Sequence, residues 1–456
     1  MKIKEIIKAT KGKIISGSKK DKEVGKICID SRLIEQNDIF LAIKGKKQDG
    51  NNYIKEIINK AGVIITQKRI KTKNETPIIK VKNVKKALKK IGIYNRSKYI
   101  DTPLIAITGS VGKTTTKELI SEIFKTKYNI LKTQENYNND IGVPIMLSQI
   151  NKDHDIIILE LGMNHLKEIE KLSKMCKPNT AIITNIGTSH IGNLKTQENI
   201  FKAKMEITKY LKKGNLIING SDHYLKKIKE NKKYSIIKTQ EEIINNITID
   251  EKLNFDITLD DKMQKIKFNI PNKYLIENIL IALETAKLYQ IPTNNIIKAI
   301  NKFKSPNKRL NIIKLNNNIT IIDDCYNASL ESIKSSLSIL ENFKTNKLAI
   351  IGDVLELGKH TEKIHKKIEE ELKKIKNLKT ITVGINTKII KTGIHFENNI
   401  NLIEYLENKN LNNITILIKA SRNMHLEEIK DKLIEKYKKN NKNTFLVKKK
   451  KLRYNV

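Results

Sequence analysis

The chain's apolar and polar positions follow more than one rhythm. From Leu104 onward, an apolar run, a glycine-bearing turn and an amphipathic stretch recur, the apolar runs being "PLIAITG", "DIIILELG", "TAIITNIG" and "GNLIING". Alternation of strand, turn and helix builds a parallel sheet with helices on both faces. Upstream, residues 1 to about 100 hold shorter strand-like runs such as "DIFLAI" and "AGVIIT", separated by glycine turns. Near "KSPNKRL" (304–310) a proline and polar residues interrupt the pattern. A second alternating series then runs through "ITIIDD", "KLAIIGD", "TITVG" and "ITILIKAS". The expected fold is therefore α/β in three domains: a small N-terminal α/β domain (1–100), a central parallel-sheet domain (101–309) and a Rossmann-like C-terminal domain (310–456). The Asn- and Lys-rich segments 229–250 and 395–413 carry little pattern and read as surface loops or weak helices.

Composition narrows this picture. A chain of 456 residues is long enough for each such domain to bury its own core. No apolar run approaches the roughly 18 residues that a membrane helix needs. Lysines break the stretch "MKIKEIIKATKGKIISG", which has no apolar signal-peptide centre. Cys28, Cys176 and Cys325 are scattered and odd in number, as reduced thiols are. A cytoplasmic protein without membrane insertion is expected. The net charge of +39 invites a nucleic-acid reading. The lysines, however, are spread over the whole chain with much Ile and Asn, while arginine is scarce and tryptophan absent. Solvated faces account for the charge and no nucleic-acid partner is expected; a basic, nucleic-acid-binding ATPase is the distant alternative. Only the tail "KKKKLRYNV" is a true basic run, read as a disordered tail.

Candidate chemistry begins at "IAITGSVGKTTTKE" (105–118). An apolar run ends in a turn bracketed by Gly109 and Gly112, followed by Lys113, Thr114 and Thr115. Glycines open backbone conformations closed to other residues. Amides of the turn (Gly109, Ser110, Val111, Gly112) and of the helix start can then face phosphate oxygens. Lys113 supplies a cation and Thr114 a hydroxyl for Mg²⁺. The usual phosphate loop has a glycine where Ile107 stands, so this loop is tighter. Glu160 in "HDIIILELGMNH" ends a buried strand, where a carboxylate can hold magnesium; alone, it is also what a helix N-cap or surface acid looks like. "TAIITNIGTSHIGN" repeats the geometry with Asn185 and His190, a metal or phosphate candidate. In the last block, Asp323, Asp324 and Asn327, then Asp353 and Glu356, then Lys419, Ser421 and Arg422 fall at strand ends. They imply a cleft between two α/β domains that closes on a charged substrate.

In their order, these motifs resemble the Mur ligases, ATP-dependent amide-forming enzymes of cell-wall precursor synthesis. "DSRLIEQNDIFLAIKGKKQDG" (30–50), "TGSVGKTTTKE", "NYNNDIGVP" (136–144), "ELGMNH", "TNIGTSH" and "AKMEI" (203–207) carry the likeness nearly end to end. "DDCYNA" and "GDVLELG" are similar to the member that adds D-alanyl-D-alanine to a UDP-N-acetylmuramoyl-tripeptide. An Asp-Asn-Pro signature of a sister is absent from this last block, and Val111 stands where another sister has histidine; a sister ligase adding a different amino acid or dipeptide is the nearer alternative. Departures are Lys167 for a glycine, Tyr274 for a histidine, "YNASL" for "YNANP" and "KAS" for "KGS". The resemblance implies that ATP phosphorylates the tripeptide carboxylate and that the dipeptide amine attacks the acyl phosphate. Lys113 would neutralise the transferring phosphoryl group. Thr114 and Glu160 would hold one Mg²⁺, while His190 and a carbamoylated Lys204 would hold a second; Lys202 lies outside the matched motif. Asn278, Arg309, Asp324 and Asn327 would bind the nucleotide. Ser31, Arg32 and Asn139 would bind the muramoyl substrate. A monomer is implied.

Overall fold

The computed structural model describes residues 1–45, 48–230, 232–305 and 310–438. Arg309, most of the junction "SPNKRL" and the basic tail therefore lie outside the described residues. Among the described residues, three mainly parallel sheets follow one another along the chain, with a small antiparallel sheet between the second and third.

The N-terminal sheet runs Lys13–Ser16, Ile78–Lys80, Val63–Thr66, Ile39–Leu41, Ile27–Cys28, with only the Lys13–Ser16 edge antiparallel. The central sheet is parallel throughout, in the order Ser235–Lys238, Asn215–Ile218, Thr180–Ile183, Leu104–Thr108, Ile156–Glu160, Ile130–Lys132. Its middle strands are isoleucine-rich and buried along their whole length, as strands covered on both faces must be. The C-terminal sheet runs Asn311–Lys314, Ile319–Asp323, Ile414–Lys419, Asn346–Gly352, Leu378–Val383, Ile394–Phe396, antiparallel only at the first pair. The α/β class with three sheets is as the apolar rhythm predicts.

Two segments differ from expectation. Residues 229–250 contain the edge strand Ser235–Lys238 and the strand Ile244–Ile249, which pairs with Leu253–Leu259 and Lys262–Phe268. Strand Ile244–Ile249 is mostly solvent-facing, and a register shift with Asn246 at φ 54° interrupts its alternation. That bulge hides the strand period. Within 395–413, helix Asn399–Glu407 is capped by Asn398, whose side-chain oxygen accepts the Asn401 N–H at 3.0 Å. It buries only Leu402 and Leu406, too little for a periodic signal.

One apolar cluster runs from the central sheet into the helices of the C-terminal domain, joining Ile186, Ile191 and Leu194 to Leu330, Val354 and Leu357. Helix Val84–Lys98 ties the N-terminal domain down through Arg96. Its buried guanidinium donates to the carbonyls of Cys176, Tyr99 and Thr102 at 2.8, 2.5 and 2.9 Å. Among the described residues, no helix is long and apolar enough to cross a membrane.

Candidate functional site

Strand Leu104–Thr108 lies between Ile156–Glu160 and Thr180–Ile183, so the chain leaves it in opposite directions on its two sides. Sheets of this kind open a crevice at the carboxyl ends of the strands about that point. The loop 109–112 occupies it and leads into helix Lys113–Phe124. Gly109 has φ +154° and Gly112 φ +84°. A Cβ on Gly109 would lie 1.8 Å from Thr184 Oγ1, and one on Gly112 2.4 Å from Asn278 Nδ2. No other residue fits either position. Asn185 frames the turn, its Oδ1 accepting the Val111 N–H at 2.9 Å and its amide donating to the Val111 carbonyl at 3.0 Å. Ser110 Oγ accepts the Gly187 N–H at 2.8 Å. Lys113 Nζ donates to the Gly109 carbonyl at 2.7 Å and the Ser110 carbonyl at 3.3 Å, which holds the cation across the loop.

Beside the loop, Thr114 Oγ1 donates to Glu160 Oε2 at 2.7 Å, and the Asn138 amide donates to Glu160 Oε1 at 2.9 Å. The Glu160 N–H is fixed by Thr133 Oγ1 at 2.8 Å, and Lys117 Nζ donates to the Thr133 carbonyl at 2.8 Å. Hydroxyl and carboxylate are hard oxygen donors and fit a magnesium ion that completes its shell with phosphate oxygens and water. Among the described residues no group of three or more His, Cys, Asp or Glu side chains forms a protein-only metal cage.

Lys204 sits on helix Gln197–Met205 and is only 2 % exposed. Burial, and then the neighbouring Lys113 charge, hold its ammonium well below the usual lysine range. The same segment carries Glu206, whose carboxylate accepts the N–H groups of Lys167 at 2.7 Å and Glu170 at 3.2 Å. Lys167 has φ 66°, so it keeps the left-handed conformation that a glycine would adopt without strain. His190, at φ 64°, pairs through Nδ1 with Glu356 Oε2 of the C-terminal domain at 2.7 Å. That hydrogen bond holds the Glu356 carboxyl below its usual range.

Glu160, Lys113, Lys204, His190, Asn278 and Asp324 share one cavity of about 1120 Å³, which Gly109–Gly112, Thr115, Asn139, Asn327 and Lys419 also line. Asp324 receives the buried Lys419 ammonium and the Ser336 hydroxyl, the latter at 2.7 Å. Lys419 also donates to the Asn327 carbonyl at 3.1 Å. Asn278 donates to the Gly112 carbonyl at 3.1 Å and Thr116 Oγ1 at 2.8 Å, so it braces the loop.

The cavity does not gather every expected residue. Ser31 and Arg32 lie outside its lining, with Arg32 paired to Asp30. Thr114, Asp323, Asp353, Ser421 and Arg422 are outside it too. Asp353 accepts the N–H groups of Asn386 and Thr387, at 3.0 and 2.8 Å, and stabilises a turn. The Asn139 side chain accepts from the N–H groups of Ile141 at 3.0 Å and Gly142 at 2.9 Å, where helix Gly142–Ser148 begins. Its neighbour Asn138 reaches Glu160 instead. Sequence reasoning missed Asn138, Lys117, Thr133 and Glu331; the doubled asparagine in "NYNND" was the only signal.

Residues 107–286 match the Mur ligase middle domain, and residues 308–438 match the Mur ligase glutamate ligase domain. UDP-N-acetylmuramoyl-tripeptide–D-alanyl-D-alanine ligase of Buchnera aphidicola subsp. Baizongia pistaciae is 37 % identical over 435 residues, covering 91 % of this chain and 93 % of its own. The Bacillus subtilis enzyme of that name is 31 % identical, covering 95 % and 98 %. A crystal structure of MurF from Acinetobacter baumannii superposes with a TM-score of 0.86 at 28 % identity, over 95 % of this chain and 98 % of that one. With its loop, cavity and three sheets in this arrangement, the chain belongs to the Mur ligase family, among the homologues of UDP-N-acetylmuramoyl-tripeptide–D-alanyl-D-alanine ligase.

Proposed function

We propose that this protein joins D-alanyl-D-alanine to UDP-N-acetylmuramoyl-tripeptide in peptidoglycan precursor synthesis, using ATP. The observation that carries the reading is the single cavity in which the phosphate loop, Glu160, Lys204 and His190 meet the Asp324–Lys419 pair of the C-terminal domain. Loop amides and Lys113 bind the terminal phosphates, and the lysine neutralises the phosphoryl group as it transfers. Thr114 and Glu160 are the residues that would hold Mg²⁺, which when bound adds positive charge against the phosphate oxygens. The tripeptide carboxylate takes the phosphoryl group, and the dipeptide's neutral amine then displaces phosphate to form the amide. Each reactant is anionic, so the chain's cations carry most of the electrostatic work.

Lys204 deepens the reading. A buried amine that disfavours its charged form is nucleophilic enough to add carbon dioxide, and with loss of one N–H proton to solvent the resulting carbamate puts anionic oxygens where a neutral nitrogen stood. With His190, those oxygens would suit a second Mg²⁺. Asn278, Asp324, Asn327 and Arg309 act on the nucleotide, and Ser31, Arg32 and Asn139 on the muramoyl substrate. The enzyme works under this reading as a cytoplasmic monomer.

The reaction can be followed atom by atom. Tripeptide labelled with ¹⁸O in its terminal carboxylate should deliver label to the released phosphate during turnover. Unlabelled phosphate alongside extended product would exclude the acyl phosphate.

A further inference from the structure

The cavity extends well past the phosphate loop, along the carboxyl ends of the outer central strands. Asn219 and Ser221 follow strand Asn215–Ile218, and Thr239 and Glu241 follow strand Ser235–Lys238. These strands lie two and three places from Leu104–Thr108. At about 4.8 Å per strand, their ends stand roughly 10–14 Å from the loop. That is the reach of a nucleoside triphosphate from its outer phosphates to its base.

At this end stands Glu277, in the first turn of helix Ile276–Leu288 and next to Asn278, which braces the loop. Its Oε1 accepts from Ser221 Oγ and its Oε2 from Thr239 Oγ1, both at 2.8 Å. The Glu241 carboxyl lies within hydrogen-bonding reach of it. Asn219, Glu241, Ile244, Ile247, Tyr274 and Glu277 all line the same end of the cavity. Ile247 and Tyr274 are 50 % and 49 % exposed, large apolar surfaces at a cavity mouth. A flat ring with a polar edge fits between such walls and such a carboxyl pair.

We propose that Glu277, oriented by Ser221 and Thr239 and paired with Glu241, is the specificity-determining residue for the nucleotide base and selects adenine by accepting a hydrogen bond from its exocyclic amine. The inference rests on the reading that this cavity takes ATP. Two carboxyls in contact hold one proton between them more readily than two charges. In keeping with this, burial and the Glu241 contact raise Glu277 to about 7. That proton lies between the two carboxyls, so the pair turns only acceptor lone pairs toward the base, one of which the exocyclic amine meets. Hypoxanthine and guanine carry a carbonyl oxygen where adenine carries the amine, and that oxygen meets the acceptor.

The test compares ATP with ITP and GTP for the full-length protein and its Glu277→Gln and Glu241→Gln variants. Binding is read by displacement of a fluorescent ATP analogue, so the measurement does not need the amide-forming reaction. The wild type should prefer ATP. Glu277→Gln, whose amide can donate to a carbonyl, should cut the ATP-over-ITP preference by about tenfold, the scale of one hydrogen bond. Glu241→Gln should shift it in the same direction by less. A structural role alone, linking the loops that carry Ser221 and Thr239, would lower the melting temperature of Glu277→Gln and leave the preference unchanged; that result overturns the inference. Base selectivity without any amide product would instead count against the ligase reading and leave this one standing.

Discussion

Lys113 and Lys204 are both lysines beside a phosphate loop, yet their surroundings ask opposite things of them. Lys113 donates to loop carbonyls, which hold it across the turn where phosphates would lie. Lys113→Ala should therefore retain the fold and lose about 10²–10³ in turnover, measured by ADP release. Lys204 is buried, no carboxylate pairs with it among the described residues, and its charged form is disfavoured. Lys204→Ala should be nearly inactive and regain part of its activity with acetate, which returns the missing oxygens. Full activity of Lys204→Ala in carbon-dioxide-free buffer would contradict the carbamate. The residue types at this site were legible because the loop chemistry is local: glycines, Lys113 and Thr114 act where they stand in sequence. Asn138 and Asn139 were not separable. One accepts N–H groups where a helix begins and the other reaches Glu160, and only the packing of strand Ile156–Glu160 beside the loop decides which.

At the level of elements, the turn 109–112 depends on tertiary contact as much as on its own sequence. The Val111 carbonyl accepts from Thr184 Oγ1 at 2.6 Å and from Asn185, both from the loop that follows the adjacent strand. Gly109→Ala would drive a Cβ against Thr184 Oγ1 in a backbone conformation that side chains rarely adopt. The expected cost is about 1–3 kcal/mol of stability together with loss of nucleotide binding, read by thermal melting with and without ATP. Unchanged melting and binding would show that the loop is not held as described. The strands of the parallel sheets were readable because burial on both faces demands unbroken apolar runs. The small antiparallel sheet was not, since Ile244–Ile249 alternates imperfectly around its bulge and leaves most of its side chains in solvent.

Across the whole molecule, the C-terminal domain rests on the central one through a few polar contacts beside the apolar cluster. Glu331 accepts from the Thr188 N–H at 2.8 Å and the Thr188 hydroxyl at 3.0 Å, Glu356 pairs with His190, and His360 Nε2 meets the Lys195 carbonyl at 3.0 Å. None of these was legible from either domain's sequence, because each joins residues more than 140 positions apart. The Glu356 carboxyl lies below its ordinary 4.5 when docked on His190. Docking through this pair is therefore favoured above that value and weakens as pH falls through the lower, docked value. Glu356 is half exposed, so the pair contributes about 1 kcal/mol or less; Glu356→Gln should lower the melting temperature slightly at neutral pH and make no difference once the pH is well below 4.5. A melting temperature that Glu356→Gln leaves unchanged at neutral pH would count against the pair. The arrangement as a whole sets the phosphate loop of the central domain and the Asp324–Lys419 pair of the C-terminal domain on one cavity. The most direct test is mass analysis of a single reaction holding the protein, UDP-N-acetylmuramoyl-tripeptide, D-alanyl-D-alanine, ATP and Mg²⁺. The expected result is a muramoyl product heavier by the dipeptide less one water, formed in step with ADP and phosphate and absent when ATP or dipeptide is omitted. Addition of a single amino acid, or ATP consumed while the muramoyl substrate stays unchanged, would contradict it.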